Sequence, residues 1–219
     1  MEGLVKSIIF DLDGTLVDTL PDINAACQEM LFKLNLEPIP ILQVRSFIGN
    51  GVKRLVERCL EVRGQEASEY AHEAFRESYE KAPSSLSKLY PGVKVVLGKL
   101  VLDGFVLGIC TNKPSYLTSA IVMDLEIKSY FKSIICGDSL IHMKPNPIPL
   151  VKTIRELGSS VGKAIFVGDS ETDIKTAHAA GVRFGLFTEG YRNSSLEEMR
   201  FDFCFQRFST LNKKVYTFF

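Results

Sequence analysis

Short apolar runs that each end at a polar or glycine residue, separated by helix-length segments, constrain this chain more than any other feature. The runs lie at 7–10, 105–110, 133–136, 164–167 and 182–187, and helical patterns fill 93–102, 115–125, 147–157 and 172–180. Runs this brief and this apolar predict strands buried on both faces. Their alternation with helices predicts an α/β fold, a mostly parallel sheet covered by helices on both faces. The stretch 20–83 breaks the rhythm, with helical spacing almost throughout and no convincing strand. It predicts a helical insertion after the first strand. The segment PSSLSKLYPG, 83–92, reads as the return linker, with a matching hinge after Asp18. The chain therefore divides into an α/β core of residues 1–18 and 84–219 and a helical cap of residues 19–83, whose closure would exclude water from a bound ligand. Residues 201–219 are aromatic and ambiguous, compatible with a last strand, a short helix and a loose tail.

A chain of 219 residues, 46% of them hydrophobic, can bury a substantial core. Its 26 basic and 26 acidic residues cancel. That balance gives no support for nonspecific binding to nucleic acid or to an anionic membrane, and it leaves room for a small anionic ligand held by local charge. Cys27, Cys59, Cys110, Cys136 and Cys204 are odd in number, scattered and free of zinc-ligand spacing. They read as reduced core residues of a cytoplasmic protein. No stretch approaches the length that spans a bilayer, and no apolar signal region precedes Ser7. Both features speak against secretion and membrane insertion.

The first strand runs into IIFDLDGTLVDT, 8–19, which gathers Asp11, Asp13 and Asp18 around Gly14. Carboxylates that share a buried site repel one another and lose hydration, so the cluster costs stability unless a cation or a reaction uses it. In an open, Rossmann-like parallel sheet, ligands bind beyond the carboxyl ends of the strands. That rule brings four segments to one crevice: Asp11 and Asp13, then TNKP at 111–114, then Lys144 in HMKPNP, then GDSETD at 168–173. Asp11 and Asp169 offer hard oxygen ligands suited to magnesium, while Thr111, Asn112 and Lys144 offer donors for phosphoryl oxygens. A metal and a lysine beside a carboxylate nucleophile let two anions approach each other, which is the central electrostatic difficulty of phosphate ester cleavage.

DLDGT, TNK, KPNP and GDSETD resemble, in order and in spacing, the four motifs of the haloacid dehalogenase superfamily of phosphotransferases, over residues 5 to 190 or so. The helical insertion resembles that superfamily's cap of the first type, and RSFIGNGVKRLVERCL, 45–60, resembles the cap segment of bacterial phosphoglycolate phosphatases. The resemblance implies a magnesium-dependent phosphatase of small phosphomonoesters, 2-phosphoglycolate first among them, working through an aspartyl phosphate. It implies Asp11 as the nucleophile and Asp13 as the general acid that protonates the leaving alkoxide and then activates water. It implies Mg2+ held by Asp11, the backbone carbonyl of Asp13 and Asp169, with Asp173 as a ligand or an acceptor beside it. Thr111 and Lys144 would bind the transferring phosphoryl group, Asn112 would position the substrate, Gly14 would permit the tight turn and Thr15 would support the loop. In the cap, Arg45 with the backbone amides of Gly49, Asn50 and Gly51 would meet the substrate's carboxylate. The implied partner is a small phosphorylated metabolite, with no nucleic acid and no membrane.

Each residue also has a plainer reading. The aspartates from Asp11 to Asp18 suit a strand-to-helix turn in which they accept backbone hydrogen bonds, and only the other three motifs outweigh that. A helix-loop-helix calcium site wants glycine sixth and glutamate twelfth, where counting from Asp11 finds Leu16 and Asp22. Asp173 suits a helix start as well as a metal, and IGNG, 48–51, suits a turn between helices. His72 and His178 read as structural and His142 as exposed. Dehalogenases and phosphonate hydrolases of the superfamily lack the second aspartate, so Asp13 argues against both chemistries, and Lys53 reads as a surface or substrate-edge residue. Pyrophosphatase, nucleotidase and sugar phosphomutase retain that aspartate and stay open, as does a catalytically silent binding module.

Overall fold

Residues 5–219 are described by a computed structural model, in which the alternation of the sequence becomes an alternation of elements. In chain order these are β1 (Ser7–Phe10), the short strand β2 (Val17–Asp18), helices α1 (Leu20–Lys33), α2 (Ile41–Phe47), α3 (Gly51–Glu61) and α4 (Glu69–Lys81), and a second short strand β3 (Lys88–Leu89). There follow α5 (Val93–Leu102), β4 (Val106–Cys110), α6 (Ser115–Asp124), β5 (Phe131–Ile135), α7 (Ile148–Glu156), β6 (Ala164–Gly168), α8 (Glu171–Ala180), β7 (Arg183–Phe187), β8 (Phe203–Phe205) and α9 (Leu211–Tyr216). Six strands form one sheet in the order β5-β4-β1-β6-β7-β8, and every pairing in it is parallel. The chain winds from β1 to one side through β4 and β5, then crosses to the other through β6. The ends of β1, β4 and β6 therefore meet at the topological switch point, where an open α/β sheet leaves its crevice.

Side-chain alternation along the strands feeds two cores. Ile8, Phe10, Leu107, Ile109, Ile165 and Val167 pack with residues of α5, α6 and α9 on one face. Ile9, Phe166, Phe184 and Leu186 pack with Leu150 and Ile154 of α7 and Ile174 and Ala177 of α8 on the other. Gly108 lets α7 come close, since a Cβ there would stand 2.8 Å from Cγ2 of Thr153.

Helices α1 to α4 bury a third cluster of their own, including Ile23, Met30, Val44, Leu55, Val56 and Phe75, joined by Leu117 of α6. In α4 the buried residues Ala71, Phe75 and Tyr79 recur every four positions, the stripe expected of a half-buried helix. Ser68 caps that helix by accepting a hydrogen bond from the Ala71 amide at 3.2 Å. Helix α1 starts differently. The Tyr191 hydroxyl accepts from the amides of Thr19 (2.8 Å) and Leu20 (2.9 Å) and donates to Asp18 at 2.7 Å, so a core side chain satisfies donors the helix cannot. Asp22, one turn on, is buried and accepts from the Leu86 and Ser87 amides at 2.9 and 2.7 Å, tying the two connections together.

Two expectations need adjustment. The return linker is not loop throughout: Lys88 and Leu89 pair antiparallel with Asp18 and Val17, because two chain crossings that run side by side can satisfy each other's backbone groups. The tail is not loose either. Phe218 lies 5.4 Å from the Phe203 ring and Phe219 5.2 Å from that of Phe105, centroid to centroid. Arg183 donates to the Phe218 carbonyl at 3.2 Å. Aromatic area supplies the anchoring that the short helix α9 lacks.

Candidate active site

Past β1 the backbone of Asp11 still pairs with the Val167 carbonyl at 2.9 Å, and the chain then turns sharply, with the amides of Leu16 and Val17 closing on the Leu12 carbonyl at 3.0 and 3.1 Å. Gly14 makes the turn at φ +80°, and a Cβ there would stand 2.5 Å from Oδ2 of Asp169 and 2.7 Å from the Tyr191 ring. The position thus requires glycine for both conformation and space. Thr15 donates to Asp169 Oδ1 at 2.7 Å, and the Tyr191 amide donates to Oδ2 at 2.5 Å. That carboxylate is fixed by the loops after β1 and β7.

Asp11, Asp169 and Asp173 are all buried, and each offers an oxygen within 4.8 Å of the others. Asp173 serves two ends at once. Its Oδ2 accepts from the Ser170 hydroxyl at 2.6 Å and the Ser170 amide at 3.1 Å, completing a capping box at the start of α8, while Oδ1 accepts from Lys144 at 2.6 Å. Lys144 Nζ also stands 2.9 Å from Asp11 Oδ1. That contact is off hydrogen-bond alignment, so the buried oxygen has a charge beside it but no donor among the described residues. Burial pushes the Asp11 carboxyl up to about 7 against the pull of Lys144, with Asp173 adding to the rise. Burial, then Asp173 and Asp11, raise Asp169 well above the usual range. Burial alone would lower the Lys144 ammonium, but Asp11 and Asp173 hold it above its ordinary value. Three buried carboxylates around one lysine leave net negative charge, hard oxygen donors and a buried oxygen without a hydrogen-bond donor, a set that fits Mg2+.

Lys144 reaches this position through Asn112. The Asn112 carboxamide accepts from the Lys144 amide and donates to its carbonyl, both at 2.9 Å, and donates again to the Gly49 carbonyl of the cap at 3.0 Å. The side chain expected to touch substrate thus also braces the lysine loop against the cap. Thr111 is held by its amide to the Ile135 carbonyl at 3.0 Å and lines the crevice.

Asp13 turns away from the carboxylate cluster. Both its oxygens accept from Lys113 Nζ, at 3.0 and 3.1 Å, and the same ammonium donates to the hydroxyl of Tyr79 in α4 at 2.6 Å. Between core and cap lies a cavity of about 40 Å3, lined on the core side by Asp11, Asp13, Thr111, Asn112 and Lys113. On the cap side the lining is Ile23, Ile48, Gly49, Gly51, Val52, Leu55, Phe75 and Tyr79. Asn50 sits at the rim and donates to Thr172 Oγ1 at 3.1 Å. Arg45 lies elsewhere, its guanidinium donating to the Gly190 carbonyl and resting 5.9 Å from the Tyr191 ring centroid. His142, His178 and Lys53 are exposed and His72 is half-buried. Among the described residues no helix is long and apolar enough to cross a membrane, and all five cysteines are free.

Three contributors carry signals too weak to be found from sequence. Lys113 lies inside TNKP, where nothing assigns it a role. Tyr79 belongs to an apolar helical stripe that reads as core. Tyr191 follows β7, and applying the strand-end rule one strand further would reach it.

Comparison with known proteins agrees with this geometry. Residues 8–187 match the family described as haloacid dehalogenase-like hydrolase. A phosphoglycolate phosphatase of Cereibacter sphaeroides (strain ATCC 17025) is 40% identical over 199 residues, 89% of this chain and 90% of that protein. Phosphoglycolate phosphatase 1 of Pseudomonas aeruginosa is 38% identical over 196 residues, 87% of this chain and 72% of that one. The crystal structure of a predicted phosphoglycolate phosphatase from Haemophilus somnus 129pt superposes with a TM-score of 0.92 at 32% identity, covering 98% of this chain and 100% of the other. The chain belongs to the haloacid dehalogenase-like hydrolases.

Proposed function

We propose that the protein is a magnesium-dependent phosphatase that converts 2-phosphoglycolate to glycolate and phosphate through an aspartyl phosphate on Asp11. The observation that carries this reading is the meeting of Asp11, Asp169 and Asp173 within 4.8 Å, with Lys144 between two of them, where Asp11 reaches the cavity between core and cap. Asp11 attacks phosphorus with a carboxylate oxygen, the bond from phosphorus to the ester oxygen breaks, and Asp13 gives its proton to the departing alkoxide. In the second half Asp13 takes a proton from the water that attacks the phosphoenzyme, which returns Asp11 as a carboxylate and releases phosphate. Asp11, Asp169 and the Asp13 carbonyl, with Asp173 beside them, would hold Mg2+, whose positive charge would offset the repulsion between the phosphoryl oxygens and the attacking carboxylate. Lys144 and Thr111 bind those oxygens from the other side.

The relatives named phosphoglycolate phosphatase favour a two-carbon acid. The test is phosphate release from 2-phosphoglycolate, pyrophosphate, a nucleoside monophosphate and a hexose phosphate, each with and without magnesium. The reading expects 2-phosphoglycolate to lead by kcat/KM and turnover to vanish with chelator. Turnover of no member, or preference for the nucleotide, overturns it.

A further inference from the structure

Among the side chains on the cap side of the cavity only Tyr79 is polar, and Lys113 is the one cation lining the cavity among the described residues. Lys144 is engaged by Asp11 and Asp173 beneath the cavity, and Arg45 is engaged by the Gly190 carbonyl. A substrate that carries a second anionic group must bring it to some positive partner, since an unpaired carboxylate in this lining would be strongly destabilised. We propose that Lys113 and Tyr79 form the subsite that reads the carboxylate of the substrate, an inference that rests on the phosphoglycolate reading and sharpens it.

Connectivity of the substrate and position of the lysine agree. In 2-phosphoglycolate the carboxylate is bonded to the carbon that carries the leaving oxygen, so a group touching the acid that protonates this oxygen also lies beside the carboxylate. Lys113 Nζ touches both oxygens of Asp13, at 3.0 and 3.1 Å. An ammonium has three donors; Asp13 takes two here and Tyr79 the third, at 2.6 Å. An incoming carboxylate can compete with Asp13 for one of these donors, and the charge-assisted bond it forms is among the strong ones.

Tyr79 completes the subsite. Its hydroxyl accepts from Lys113, and among the described residues its own proton has no acceptor, although the side chain is 2% exposed. A buried donor without a partner is costly, and a carboxylate oxygen in the cavity would satisfy it. Burial, then Asp13, raises the phenol well above its usual value, so it remains a donor. Because Tyr79 belongs to α4, the subsite is complete only with cap and core together.

The test uses two esters of equally poor leaving groups, 2-phosphoglycolate and ethyl phosphate, which differ in the carboxylate. Both need the proton from Asp13, so any damage to that acid cancels in the ratio of their kcat/KM values. The unaltered protein is expected to prefer 2-phosphoglycolate, with the ratio falling about 100-fold in Lys113→Met and about 10-fold in Tyr79→Phe, the loss of one charged and one neutral partner. Tyr79→Phe removes a single atom and keeps the test valid if Lys113→Met does not fold. A lower rate on both esters with an unchanged ratio in the folded variants overturns the subsite and leaves Lys113 as a positioning residue for Asp13. Equal turnover of the two esters by the unaltered protein overturns the phosphoglycolate reading itself, and the subsite with it.

Discussion

The floor and the roof of the cavity are built on opposite terms. On the floor, Asp11 lines the cavity and interlocks with Asp169, Asp173 and Lys144 behind it, buried charges within hydrogen-bond and ion-pair distance. The roof, from Ile23, Ile48, Val52, Leu55 and Phe75, is apolar and continuous with the interior of the cap. Buried charges hold their geometry only while every partner stays, since removing one leaves another uncompensated. Apolar contacts trade area gradually. Phosphoryl chemistry therefore belongs to a rigid, all-or-none floor, and size selection to a roof that tolerates adjustment. Floor substitutions should act abruptly and on every substrate, and those between cap and core mildly.

The largest effect is expected at Asp11. Asp11→Asn keeps the shape and removes the proposed nucleophile, so turnover should fall by roughly 10^4-fold or more with folding retained, read by steady-state kinetics and circular dichroism. Residual activity near the unaltered rate would remove Asp11 from the nucleophile's role.

Lys144→Met should cost about 3–5 kcal/mol of unfolding free energy in denaturant titrations, because it strands Asp11 and Asp173 without their cation. It should also abolish turnover. A variant as stable as the parent would mean that the floor does not depend on this ion pair.

Magnesium should raise Tm, and Asp169→Ala should erase that rise and increase the magnesium concentration for half-maximal activity. pH sharpens this prediction. With its carboxyl pushed up to about 7 by burial, Asp11 contributes stability that is complete below the unfolded carboxylate pKa and lost as pH rises through the folded value. Metal-free protein should lose stability from pH 5 to pH 8, and the magnesium-dependent gain in Tm should grow over the same interval as protons cease to compete for the ligand. A metal shift that shrinks with rising pH would contradict that assignment.

The smallest effect is expected at the seam. Arg45 bonds the Gly190 carbonyl, so Arg45→Ala should weaken closure and depress kcat/KM a few-fold, alike for 2-phosphoglycolate and ethyl phosphate. A loss confined to 2-phosphoglycolate would return the carboxylate to Arg45.

Part of the floor is legible in the sequence because it directly follows strands, and strand ends converge in a parallel sheet. Asp11, Thr111 and Asp169 each stand one residue past β1, β4 and β6. What the sequence conceals depends on where long side chains point across the gap between cap and core. Lys113 is set by Asp13, 100 positions away in the chain, and by Tyr79, 34 positions away, and no local spacing encodes either contact. Arg45 stands beside a motif that resembles a substrate loop, yet its partner is a carbonyl 145 positions on. The linker strand β3 leaves no signature because two residues are too few to show a period, and its pairing partner is Val17–Asp18 across the hinge. Tail packing is equally silent, because ring contacts such as Phe105 with Phe219 exist only once distant parts of the chain are brought together.

The proposed function rests on a covalent step at Asp11, and that step can be looked for directly. Protein mixed with 2-phosphoglycolate and magnesium, quenched in acid within a turnover and digested, should yield a phosphorylated peptide whose fragment masses place the phosphoryl group on Asp11, and Asp11→Asn should yield none. Phosphoryl transfer to any other residue, or rapid turnover in Asp11→Asn, would contradict the account.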